Sequence, residues 1–93
     1  MALTTHKYKT LFDLPNMSSM NKEELLKSVG KRIQDLRVSK GLTQVDLVGK
    51  IDGDIDTTNI SRIESGRTNP TIYTLYRIAK ALEVDIKDLV EIT

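Results

Sequence analysis

Ninety-three residues allow one small domain, and a formal net charge of +1 says little about partners. The absence of cysteine excludes a disulfide frame and a thiolate metal site. No run reaches the ~20 apolar residues of a membrane span, and the opening MALTTHKYKTLFDLPNMSS lacks the apolar core of a secretory signal, so a cytoplasmic chain with no membrane partner is expected.

The distribution of charge is more informative than its sum. Lys and Arg outnumber Asp and Glu six to three over residues 22–40 and three to none over 67–80. The balance reverses to two against five over 41–66 and one against four over 81–93. Such alternation gives either one basic face or an ordinary solvated surface.

Residues 1–20 show no sustained periodicity and read as a flexible tail. Within it, TLFDLP is a candidate docked piece, and His6, Lys7 and Lys9 form a candidate charged arm. The folded domain is expected over residues 21–93. Its first helix starts at Asn21, a good cap, with Glu24 placed for a capping box. Leu25, Val29, Ile33 and Leu36 follow at helical spacing. Gly30 interrupts them at a cost of roughly 1 kcal/mol, and either lets a second helix approach closely or marks a kink. Gly41 ends the helix.

Thr43 caps a second, short helix with Leu47, Val48 and Ile51 inward. After the turn DGDI, Asp56 caps a third helix, TTNISRIES, which Gly66 stops. Thr71 caps a fourth, with Ile72, Leu75, Ile78, Ala79 and Leu82 on one face. Asp85 caps a fifth, with Asp88 completing a capping box and Ile86, Leu89 and Val90 as its apolar residues. No strand-like alternation of any length occurs, so the chain reads as all-α, with five helices and short connections.

Asp52, Asp54 and Asp56 alternate as do the first ligands of a calcium loop. Such a loop needs glycine at its sixth position and a bidentate glutamate at its twelfth. Those positions hold Thr57 and Ile63, so a calcium loop is not expected, and no resident metal or cofactor is. No catalytic motif appears either, and the sole histidine is His6, so the chain is not expected to be an enzyme.

A helix-turn-helix fits better. Leu47, Val48, Ile51, Ile55, Ile60 and Ile63 can close a core behind the second and third helices. Thr57, Thr58, Asn59 and Arg62 are then left outward, where arginine can pair with guanine, asparagine with adenine, and threonine with several bases. The same pattern, taken alone, also describes an ordinary amphipathic helix.

The wider pattern is more specific. KGLTQ, ISRIESG, NPT and LYRIAKALEVDIKDL occur in that order, and the stretch over residues 29–90 resembles the Cro/repressor-type, or xenobiotic-response-element, helix-turn-helix family. The resemblance implies a compact, lambda-repressor-like DNA-binding domain with the motif at helices 2 and 3. It implies base contacts from Thr57, Thr58 and Arg62, with Asn59 at the edge of that set. It implies phosphate contacts from Gln44, whose amide and helix N-terminus suit an anion, and from Arg67, Thr68 and Asn69. It also implies an internal salt bridge between Arg37 and Glu64, joining the first and third helices.

Two departures stand out. Val48 occupies a place where the family commonly has alanine, and two extra methyl groups there would push the helix pair apart. The turn is also enlarged: Asp52-Gly53-Asp54 sits between Ile51 and Ile55, where the commoner form has a single glycine. Its acidic residues either weaken phosphate binding or are held away from the duplex.

The expectation is therefore a sequence-specific regulator of transcription that binds double-stranded DNA as a homodimer. Some of Tyr73, Tyr76, Val84, Ile86, Val90 and Ile92 either line the dimer interface or simply belong to the core. The alternative is an antitoxin-type or other protein-interaction module, with its protein partner held through the N-terminal tail and DNA binding secondary.

Overall fold

A computed structural model of the chain describes residues 19–90. The expected tail lies outside them except for its last two residues, and Ile92 lies outside them as well. Five helices follow in order: α1 (Lys22–Ser39), α2 (Gln44–Lys50), α3 (Thr57–Glu64), α4 (Ile72–Leu82) and α5 (Ile86–Leu89). There is no strand among the described residues.

The helix starts are set by side chains that satisfy otherwise orphaned backbone donors. Asn21 accepts the Glu24 N–H at 2.8 Å, and Glu24 accepts the Asn21 N–H at 3.1 Å. Thr43 and Asp46 make the same reciprocal pair at α2, at 3.0 and 2.9 Å. Asp56 accepts from the Asn59 amide at 2.8 Å, and Thr71 from the Thr74 amide at 3.0 Å. At α5, the Asp85 N–H donates to Asp88 at 3.0 Å.

Gly41 (φ 72°) and Gly66 (φ 77°) take the left-handed conformation just past α1 and α3, as the sequence predicts. The end of α4 is different. Glu83 adopts φ 61°, a region where its Cβ is unfavourable.

One core holds the helices together. Val29 and Ile33 of α1, Leu47 of α2, Ile60 and Ile63 of α3, Leu75, Ile78, Ala79 and Leu82 of α4, and Leu89 of α5 are all buried. Leu25, Leu36, Val48, Ile55, Val84, Ile86 and Val90 are half-buried against it. Val48 is thus accommodated at the edge of the core, where its extra methyl groups cover apolar neighbours. Arg32 donates to the Asp88 carbonyl at 2.8 Å and pins α5 to α1.

Ile72 lines the same apolar hollow as Leu75 but is 75% exposed, whereas Leu75 and Ile78 are buried. Ile72 is the first residue of α4, and its side chain leans back over the preceding turn, beyond the core's edge.

Gly30 resolves in favour of close approach. α1 runs unbroken through it, and a Cβ there would collide with the carbonyl oxygens of Ile63 and Glu64. The backbone of α1 therefore lies directly against the last turn of α3. That contact, with the core, fixes the height at which α3 sits.

Candidate nucleic-acid interface

α3 is amphipathic in the strict sense that its two faces share no residues. Ile60, Ile63 and Glu64 are buried. Thr58, Ser61 and Arg62 are exposed, and Thr57 is half-buried beside them. Spacings of three and four put Thr57, Thr58, Ser61 and Arg62 on one outward face. Ser61 was missed by the sequence reading, although the same spacing identifies it.

The angle of α3 is held by a polar cluster behind it. Arg37 donates from Nε to Glu64 Oε2 at 2.7 Å and from Nη2 to Oε1 at 3.0 Å. Its remaining nitrogen, Nη1, donates to the Leu42 carbonyl at 2.8 Å. Both partners are buried, with 8% of Arg37 and 7% of Glu64 exposed. The Glu64 hydrogen bonds raise the Arg37 pKa above its ordinary value, against the effect of burial, so the guanidinium stays charged. The expected internal salt bridge is present and doubly hydrogen-bonded, the strong form of an arginine–carboxylate pair.

Gln44 joins the same cluster. Its Nε2 donates to Glu64 Oε1 at 3.0 Å, so the side chain is already oriented from behind. Thr57, Thr43 and Gln44 line an open depression between the start of α2 and the start of α3. The Asp46 carboxylate, also at this end of α2, is held below the usual carboxylate range by the Thr43 backbone N–H and then by the Thr43 side chain.

Asn59 lies at the edge of the outward face of α3, exposed on the side of the loop after the helix. It lines a shallow polar cavity with Thr68, Asn69, Thr71 and Thr74. Thr57, Thr58 and Arg62 thus share a face, and Asn59 sits at its margin beside the loop after α3. In that loop Arg67 is exposed, and its backbone N–H donates to the Arg62 carbonyl at 2.9 Å. Arg62 and Arg67 are thus both solvent-facing cations at the C-terminal end of α3.

The enlarged turn adopts a defined shape. Gly53 has φ 105°, and the Asp52 carbonyl accepts from Arg77 Nη1 at 2.8 Å. Asp52 lies on the α4 side with Tyr73 and Tyr76, while Asp54 lines the cavity that contains Asn59. The aspartates do not converge on one point, and no cluster fit to hold a metal occurs among the described residues. No described helix is long and apolar enough to cross a membrane.

Tyr73 and Tyr76 are exposed, whereas Val84, Ile86 and Val90 are half-buried in the core contact. Tyr73 and Tyr76, 67% and 50% exposed, are the more accessible to a second copy.

Known proteins are similar to this chain in sequence and in fold. An uncharacterized HTH-type transcriptional regulator from Sinorhizobium fredii is 39% identical over 67 residues, which is 72% of this chain and 84% of that protein. The restriction-modification controller protein C.AhdI from Aeromonas hydrophila superposes with a TM-score of 0.65 at 28% identity, covering 69% of this chain and 94% of that one. The controller protein C.Esp1396I, solved as a tetramer in complex with its natural 35 base-pair operator, superposes with a TM-score of 0.61 at 39% identity, covering 72% of this chain and 96% of that one. A family model described as helix-turn-helix matches residues 33–89, and the chain belongs to that family, the Cro/repressor type that its motifs resemble.

Proposed function

We propose that this protein is a sequence-specific DNA-binding regulator of transcription that acts in the cytoplasm as a homodimer, with α3 of each copy in the major groove. The observation that carries the reading is the division of α3. Every attachment to the body of the domain is on one face, and the other presents Thr57, Thr58, Ser61 and Arg62 to solvent. Arg62 and the two threonines read base edges, and Asn59 contributes from the margin of that set. Gln44, Arg67, Thr68 and Asn69 hold phosphates on either side and set the register.

The relatives support this reading. The similar proteins are described as regulators and controllers, and one is described as a tetramer on an operator. They favour DNA binding over a module that works chiefly by masking a partner protein. A dimer of such units reads two half-sites about one helical turn apart.

Selection of bound sequences from random duplex DNA, followed by footprinting, tests the proposal. A two-fold symmetric site is expected. Arg62→Ala should weaken binding to that site by about 1–3 kcal/mol and relax preference at one position in each half. Unchanged affinity and selectivity in Arg62→Ala would overturn the assignment of α3 as the reader.

A further inference from the structure

Arg77 of α4 meets the enlarged turn at Asp52 and Gly53 and is steadied from its own helix by Tyr73. Its Nη1 donates to the Asp52 carbonyl at 2.8 Å. Its guanidinium carbon lies 5.3 Å from the centroid of the Tyr73 ring, within cation–π range, and Tyr73 in turn stacks on Tyr76 at 6.3 Å and 21°. At the tip of the turn, a Cβ on Gly53 would strike Arg77 Nη1. The fit is tight enough that Arg77 Nε is buried without a hydrogen-bond partner among the described residues. Orphaning a buried donor is unfavourable, so the carbonyl and the aromatic face together must hold the guanidinium where it is.

The turn leads straight into the reader. Asp56, the cap of α3, comes three residues after Gly53, and Thr57 follows it. Two residues more than the commoner turn add about 7 Å of chain. Left loose, that length would let the start of α3 wander, while base readout needs side chains held to within about 0.5 Å.

We propose that Arg77 is a positioning residue for the recognition helix: it fastens the enlarged turn to α4 and so fixes where α3 begins. The inference rests on the DNA-binding reading given above. Arg77 itself need not touch DNA. Its contribution is to sequence selectivity, and it is specific to a turn of this length. Lysine would keep one donor but lose the planar contact with Tyr73.

The test uses the full chain, a duplex selected by it, and a scrambled duplex of the same composition, with affinities read by fluorescence anisotropy well below the melting temperature. Amide hydrogen exchange over residues 53–60 is measured in parallel. Arg77→Ala should lower affinity for the selected duplex about tenfold, leave the scrambled duplex nearly unchanged, and speed exchange over 53–60. Arg77→Lys should fall between. In a chain whose Asp52-Gly53-Asp54 is replaced by one glycine, Arg77→Ala should change neither reading.

Equal loss in both turn lengths would overturn the proposal, as would a parallel loss on the scrambled duplex, which would mark Arg77 as a phosphate contact. If the shortened chain does not fold, the exchange reading in the full chain decides: faster exchange over 53–60 in Arg77→Ala supports the tether, and unchanged exchange overturns it. If the unaltered chain selects no sequence, the regulator reading fails by itself. Unchanged exchange over 53–60 in Arg77→Ala would then still overturn the tether.

Discussion

Arg37 on α1 grips Glu64 at the end of α3 through two hydrogen bonds, of 2.7 and 3.0 Å, in a site from which water is nearly excluded. Glu64 is simultaneously the acceptor for Gln44, so one carboxylate ties together α1, α2 and α3. Removing one partner strands the other's charge. Arg37→Met should therefore destabilise the domain by about 3–5 kcal/mol, measured by urea unfolding. Replacing both, Arg37→Met with Glu64→Met, should cost less than the single change.

Gly30 should be nearly irreplaceable. Alanine usually favours a helix over glycine by roughly 1 kcal/mol. Here the added methyl would meet the backbone of α3, which cannot rotate aside as a side chain can. Gly30→Ala should lower stability by at least about 1–3 kcal/mol, seen as a drop in melting temperature by calorimetry. A rise in melting temperature would show that α1 and α3 separate without cost.

The Thr43–Asp46 pair gives a pH dependence of known sign. Folding lowers the Asp46 pKa, so the ionised carboxylate is favoured in the folded state. Its contribution is present above the unfolded value of ~3.9 and is lost as pH falls through the folded value. Urea midpoints of the native chain and Asp46→Asn should differ near neutrality and converge in acid. A constant gap at every pH would exclude this origin.

The two exposed arginines at the C-terminal end of α3 should separate by their response to salt. Arg67→Ala should weaken binding to all duplexes alike and reduce the slope of log affinity against log salt by about one. Arg62→Ala should change selectivity as well as affinity. Titration of both variants on selected and scrambled duplexes, across a range of salt, distinguishes the roles.

Much of the fold was legible because its signals are local. The caps at Asn21, Thr43, Asp56 and Thr71 and the Asp85–Asp88 bond act over three residues, and Gly41 and Gly66 act at their own positions. The Arg37–Glu64 bond spans 27 residues and was expected only through family resemblance. What stayed hidden depends on tertiary approach. Helical spacing cannot say that Gly30 faces a backbone or that Ile72 overhangs the core. Nor does any local rule connect Arg77 to a carbonyl 25 residues earlier. Glu83 is a further case, since nothing in its identity announces a left-handed residue.

The outward side chains of α3 have one more consequence. Among the described residues, no hydrogen bond or ion pair engages the side chains of Thr57, Thr58, Ser61 or Arg62. The domain's stability is invested elsewhere, in Ile60, Ile63, Glu64 and the cap Asp56. Thr57, Thr58, Ser61 and Arg62 can therefore be rewritten together at little thermodynamic penalty, and a library varied at them should fold throughout while its members prefer different DNA. The scaffold is a chassis, and the address it delivers is interchangeable.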